Sequence, residues 1–94
     1  MEFEWDPEKS ERNFQRRGFD FEGATRIFEG FVLERPDTRR DYGEVRVVAI
    51  GVAEGETLTV VYTDRPKEKG RIVRRIISAR RSNRRERKAY EDAI

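Results

Sequence analysis

The residues best suited to chemistry are a carboxylate, a phenol and several guanidiniums in the second half of the chain. Glu44 and Arg46 stand two residues apart in a strand-like stretch, so their side chains project to the same side. Further candidates follow at Tyr62, Arg65, Arg75 and Arg80. If these side chains converge, they suit RNA cleavage without a metal ion, because arginines hold the phosphate while glutamate or tyrosine transfers a proton. The register that decides this convergence cannot be read from the sequence.

Each of these residues also has a structural interpretation. Exposed strand residues such as Glu44 and Arg46 commonly form cross-strand ion pairs, and Tyr62 alone is typical of a core edge. The large aromatic residues are read as core rather than as base-stacking platforms: Phe3, Trp5, Phe14, Phe19, Phe21 and Phe28. No phosphate-binding glycine loop and no metal-ligand spacing is present. We therefore expect no metal and no other cofactor.

Histidine and cysteine are both absent from the 94 residues. Without cysteine there is no disulfide and no thiolate nucleophile. Without histidine, proton transfer near neutral pH falls to carboxylate, phenol, ammonium or guanidinium groups in shifted environments. No apolar stretch is long enough to cross a membrane, and the acidic start is unlike a signal peptide. We expect a cytoplasmic protein that makes no membrane contact.

The charge is strongly asymmetric along the chain. Residues 1–64 hold 9 basic and 15 acidic side chains, whereas residues 65–94 hold 12 basic and 4 acidic ones. Polarisation of this kind predicts a nucleic-acid partner for the basic end, or an acidic protein that covers it. A solvated charged face with no partner is the alternative.

The elements that must position these residues form an α+β pattern in one domain, residues 1–94. We predict strands at 3–5, 31–33, 44–52, 57–63 and 71–78, with a loop at 34–42 and helices at 7–17, about 21–29 and 84–93. Asp6-Pro7 and Asn83 with Glu86 are helix-starting signals, and Gly18 ends the first helix. The order predicts an antiparallel sheet of four to five strands with helices on one face. The last helix has little apolar surface beyond Tyr90. It therefore either packs on the sheet through that residue or packs only against a partner.

Several segments together resemble the BrnT family. The matching pieces run through nearly the whole chain in order: 3–9 with Asn13, 18–22 with Ala24, 42–44 with Arg46 and 50–51, 58 and 60–63 with Arg65, then 76–80, Arg84, 86–87 and Tyr90. The resemblance implies the toxin of a type II toxin–antitoxin pair, with a fold similar to the RelE-like ribonucleases. Such toxins cleave RNA and halt translation. A separate BrnA-type antitoxin neutralises them and brings the complex to its operator DNA.

Together with this resemblance, the residues found above form the predicted site. Glu44, Arg46, Tyr62 and Arg80 are the predicted catalytic set, and the predicted RNA phosphate contacts are Arg17, Arg65, Arg75, Arg84 and Arg87. One step departs from the family: a lysine-histidine-glycine step is usual after the first helix, where this chain has Arg16-Arg17-Gly18. Arginine keeps the charge but cannot exchange protons near neutrality. A weakened toxin or a non-catalytic binding module therefore stands beside the ribonuclease reading, and action on another target such as topoisomerase is a third alternative.

Overall fold

Five strands form one sheet in the computed structural model, which describes residues 1–94. They are β1 (Glu2–Trp5), β2 (Leu33–Pro36), β3 (Val47–Ala53), β4 (Glu56–Pro66) and β5 (Ile72–Arg81), and their order in the sheet is β1-β5-β4-β3-β2. The helices are α1 (Pro7–Arg17), α2 (Phe21–Ala24) and α3 (Arg84–Ala93), with 3-10 turns at Thr25–Glu29 and Glu68–Gly70. The predicted α+β class is confirmed.

The sheet is mixed, so the prediction of a wholly antiparallel sheet is wrong at one edge. β1 runs parallel to β5, with Glu2 opposite Val73 and Trp5 opposite Ile76. The other three strand pairs are antiparallel. Parallel neighbours need a long crossover connection, and here the connection includes most of the chain. A four-residue strand does not itself encode which distant strand it will join.

Helices pack on both faces of the sheet, which corrects the prediction that all of them share one face. α2 and the following 3-10 turn cover the main core, which includes Phe21, Ile27 and Val60. α3 lies beside β3 on the opposite face. Tyr90 is the one buried side chain of α3, and its hydroxyl donates a hydrogen bond to the carbonyl oxygen of Phe31. Of the two alternatives for this helix, docking through Tyr90 is the one that the structure shows.

Local signals set the helix ends as predicted. The Asp6 carboxylate accepts from the backbone N–H of Glu8, and Gly18 ends α1 in the left-handed conformation with φ of 85°. Asn83 and Glu86 form a reciprocal capping box at the start of α3. These caps satisfy backbone groups that a short helix would otherwise leave without partners.

The strands differ from the predicted ranges in ways that matter for the site. β2 begins at Leu33 rather than at Phe31, and β3 begins at Val47, so Glu44 and Arg46 precede the strand. β4 and β5 are longer than predicted and carry Arg65 and Arg80 within them. The positions of Glu44 and Arg46 are therefore set by side-chain contacts rather than by strand alternation.

An irregularity in β5 adjusts which side chains face the core. Tyr62 lies opposite Ile76 while its neighbour Val61 lies opposite Ser78, so Ile77 is an extra residue in β5. A bulge of this kind shifts the alternation of side chains by one position. As a result both Ile76 and Ala79 reach the main core, and Arg80 turns to the face that carries α3.

Candidate functional site

The sheet face opposite α2 carries a compact group of ionised side chains at one end. We call this group the Glu44 cluster, and its members are Glu4, Glu44, Arg46, Arg65, Lys67 and Arg75. Four cations and two carboxylates give the cluster an excess of positive charge. β1, β4, β5 and the loop before β3 each contribute, so the cluster exists only in the folded chain.

Glu44 is held between two guanidiniums. Arg46 Nε donates to Glu44 Oε2 at 2.9 Å, while Arg65 Nη2 lies 3.5 Å from Glu44 Oε1. The Arg46 guanidinium also stacks on the ring of Tyr42, 4.0 Å from its centroid. Arg46 is thus fixed on two sides, whereas Arg65 makes a looser contact.

Glu4 holds the other side of the cluster. Arg75 Nη1 donates to Glu4 Oε2 at 3.1 Å, and Lys67 Nζ lies 3.6 Å from Glu4 Oε1. Arg65 Nη1 lies 3.9 Å from Glu4 Oε2, so Arg65 stands between the two carboxylates. A group that bridges two partners loosely can exchange one of them for a bound anion with little cost.

Both carboxylates have lowered pKa values. The hydrogen bond from Arg46, with the charges of Arg46 and Arg65, lowers the pKa of Glu44 below its ordinary value. The hydrogen bond from Arg75 has the same effect on the pKa of Glu4. Each carboxylate is therefore ionised at neutral pH, and Glu44 gains basicity if a guanidinium leaves it.

Arg80 lies farther along the same face. It pairs with Thr59 in the register, whereas Arg75 pairs with Thr63, so the two arginines are about 13 Å apart along the strand direction at 3.3 Å per residue. Its guanidinium binds Glu86 through two hydrogen bonds, at 2.7 and 2.9 Å. A small pocket of about 70 Å³ opens beside it, and its polar lining includes Arg35, Arg39, Thr59 and Ser78.

The structure does not bring Tyr62 to the Glu44 cluster. Tyr62 shares the face of Leu58 and Val60, is 4% exposed, and its hydroxyl donates to the Glu34 carboxylate. The Arg74 guanidinium lies 4.0 Å from the centroid of its ring. Burial, and then the hydrogen bond to Glu34, raise the pKa of Tyr62 above its ordinary value. A phenol in this position packs the core and holds β2 to β4.

The remaining predicted phosphate contacts are dispersed. Arg17 ends α1 beside β5, and its Nε is buried without a hydrogen-bond partner. Arg84 is exposed on α3, and Arg87 Nη1 donates to the carbonyl oxygen of Ser82 at 2.8 Å. The structure thus brings Glu44, Arg46, Arg65 and Arg75 together, places Arg80 on the same face, and leaves these three outside the Glu44 cluster.

Comparison with protein families gives a match that extends over residues 5–86. The matched family is described as the ribonuclease toxin, BrnT, of a type II toxin–antitoxin system. The chain belongs to the BrnT family. A comparison with curated proteins finds no match. The BrnT match spans Glu44, Arg46, Arg65, Arg75 and Arg80, and it ends before Arg87.

Sequence reasoning missed several members of this candidate site. Glu4 and Lys67 join the Glu44 cluster, and Glu86 was recognised only as a cap although it also binds Arg80. Alternation along Leu58, Val60 and Tyr62 was a usable signal that the tyrosine faces the core. Nothing local indicated that β1 would bring Glu4 beside Arg75.

No helix in the structure has the length and apolar character needed to span a membrane.

Proposed function

We propose that this BrnT-family chain is an endoribonuclease toxin that cleaves RNA without a metal ion and thereby inhibits translation. The observation that carries the proposal is the Glu44 cluster: one carboxylate held between guanidiniums, on a sheet face that also carries Arg80. Clustered guanidiniums suit a phosphodiester because they stabilise the charge that develops during its cleavage.

The looser arginine is the one that engages RNA. Arg65 lies 3.5 Å from Glu44, compared with 2.9 Å for Arg46, so a phosphate displaces Arg65 from the carboxylate first. With one guanidinium moved to the phosphate, the pKa of Glu44 rises toward its ordinary value. Phosphate binding thus prepares the carboxylate to accept a proton.

The bond changes follow from these positions. Glu44 takes the proton of the ribose 2′-hydroxyl, and the 2′ oxygen attacks the adjacent phosphorus. The bond from phosphorus to the 5′ oxygen breaks, and that oxygen receives the proton from Glu44. The products are a 2′,3′-cyclic phosphate and a free 5′-hydroxyl. Arg46, Arg65 and Arg75 stabilise the phosphorane charge, and Arg80 holds the RNA backbone farther along the face.

The biological setting follows from the family. We propose a RelE-like fold, a cytoplasmic location, and neutralisation by a BrnA-type antitoxin that is a separate chain and carries the operator-binding function. Arg17, Arg84 and Arg87 serve in this proposal as peripheral phosphate contacts. Their distance from the Glu44 cluster supports a role in binding rather than in the chemical step.

A weakened or non-catalytic binding module is the second candidate. Two observations favour it: Tyr62 faces the core, and Glu44 is an ionised carboxylate already paired with guanidiniums. Arg17 also stands where the family usually has histidine, and the chain contains no histidine that could exchange a proton near neutral pH. Such a chain would bind RNA or antitoxin through the same cations without cutting.

Expression of the chain alone in a bacterial host separates the candidates. A ribonuclease stops growth, whereas a binding module is tolerated. Glu44→Ala and Arg80→Ala should both restore growth, while Arg85→Ala, an exposed change on α3, should not. Nucleotide-resolved mapping of transcripts after induction should show 5′-hydroxyl ends. Arrest of growth with intact transcripts would contradict the ribonuclease and indicate another target.

A further inference from the structure

A groove separates α1 from the outer edge of β5. One wall is the helix face formed by Lys9, Arg12, Arg16 and Arg17, and the other is the strand segment 77–80. The groove has a volume of about 280 Å³, and Phe21 lies at its base. It lies outside the Glu44 cluster.

The strand wall of the groove is an unpaired sheet edge. β1 pairs with β5 only as far as Trp5 opposite Ile76, so the rest of β5 has no neighbour on that side. The backbone N–H of Ser82 donates to the Thr57 carbonyl oxygen, which fixes the alternation of hydrogen bonds between β4 and β5. The backbone N–H and C=O groups of Ala79 and Arg81 therefore point away from β4. Ala79 lines the groove, and the Arg81 carbonyl oxygen, just beyond it, accepts a long contact of 3.4 Å from Arg80 Nη1.

The helix wall is cationic and largely without counter-charges. Lys9, Arg16 and Arg17 make no ion pair, and Arg12 makes only an exposed contact of 4.0 Å with Glu8. The Nε of Arg17 is buried without a hydrogen-bond partner. A ligand that supplies negative charge therefore complements this wall.

We propose that the groove docks an extended acidic peptide segment, which adds as a strand to the free edge of β5. A strand edge offers alternating donors and acceptors, and a peptide backbone matches both, whereas the phosphates of RNA match only the donors. The helix wall from Lys9 to Arg17 is about 12 Å long at 1.5 Å per residue. About four residues of an extended strand cover the same length at 3.3 Å each.

We assign the acidic segment to the antitoxin, and this assignment rests on the proposed function. Docking there would place the antitoxin chain next to Arg80, which lines both this groove and the pocket on the sheet face. The antitoxin then reaches a proposed RNA contact from the sheet edge without filling the Glu44 cluster.

The test uses a capped heptapeptide that alternates glutamate and valine, followed by amide NMR on the whole protein. Binding should shift the amide signals of residues 77–81 and slow hydrogen exchange at Ala79 and Arg81 at least tenfold. A peptide of equal charge with proline in place of valine cannot pair as a strand, and it should bind at least tenfold more weakly. The R12E/R16E double variant should lose at least tenfold in affinity for the alternating peptide.

The matched control is R85E/K88E, which makes the same change of charge on exposed positions of α3 and should alter affinity less than twofold. Absence of binding by the alternating peptide, or equal binding by the proline peptide, would overturn the inference. So would an RNA oligonucleotide that shifts the same amides when the peptide does not. The measurement needs no catalysis, so it is independent of whether the chain cleaves RNA.

Discussion

Arg80 and Glu86 form a two-point ion pair that joins the end of β5 to the first turn of α3. The guanidinium nitrogens lie 2.7 and 2.9 Å from the two carboxylate oxygens. The same carboxylate accepts from the backbone N–H of Asn83 in the capping box. One side chain thus starts the last helix and orients the arginine that we propose as an RNA contact.

This pair predicts a pH-dependent stability. Hydrogen bonds from Arg80 and Asn83 lower the pKa of Glu86 to about 2 from an ordinary 4.5, so its contribution is complete above pH 4.5 and disappears as the pH falls toward 2. Glu86→Gln should cost about 2 kcal/mol of unfolding free energy at pH 7. Urea denaturation at pH 7 and pH 3 checks this. An equal difference between the two proteins at both values would contradict the assignment.

Glu44 should behave as a base that is already ionised. The lowered pKa of Glu44 in the free protein predicts that the acidic limb of the pH–rate profile, measured at subsaturating concentrations, lies below the ordinary glutamate value. Glu44→Gln keeps the shape of the side chain but removes its negative charge, and it should reduce the cleavage rate by about 10²- to 10⁴-fold. Single-turnover cleavage of an RNA oligonucleotide from pH 3.5 to 8 measures both. A Gln variant with a small loss and an unchanged profile would make Glu44 a positioning residue for Arg46.

Tyr62→Phe tests the placement of the phenol in the core. The change removes the hydrogen bond to Glu34 but leaves the ring packed against Phe28. We expect a loss of about 1 kcal/mol in unfolding free energy. The same variant is also assayed for RNA cleavage. A loss of cleavage rate larger than the loss of folded protein would mean that Tyr62 takes part in catalysis.

Gly51→Ala should destabilise the fold by about 1 to 3 kcal/mol. An added Cβ would lie 2.9 Å from Ile27 Cβ and 3.3 Å from the Ile27 carbonyl oxygen, and the backbone cannot yield easily. Gly30→Ala is the matched control, because nothing lies within 4 Å of its added Cβ and its φ is negative. Thermal unfolding should show a lower midpoint for the first variant only. Equal unfolding midpoints for the two variants would show that the 3-10 turn containing Ile27 shifts to make room for the added methyl group.

Features that depend on near neighbours were predictable from the sequence. Asp6, Gly18 and the Asn83–Glu86 box each act within a few residues of the helix end, and all three are confirmed. The β3–β4 hairpin was predictable for the same reason, since its turn is local.

Features that depend on register or on distant pairing were not predictable. The extra residue at Ile77 decides which β5 side chains face α2, and nothing nearby marks it. Arg65 and Arg75 were recognised as candidates, but their meeting with Glu4 required the β1–β5 pairing. Tyr62 differs, because alternation within β4 already pointed it toward the core.

The parallel pairing of β1 with β5 also sets the order of events during synthesis. The partner of Trp5 is Ile76, so about 70 residues must be joined before the first strand can find its place. Contacts of such separation form late and slowly. Glu4 cannot meet Arg65 and Arg75 until then, so the face that we propose to cut RNA is assembled only after the whole of the chain between β1 and β5 has been synthesised.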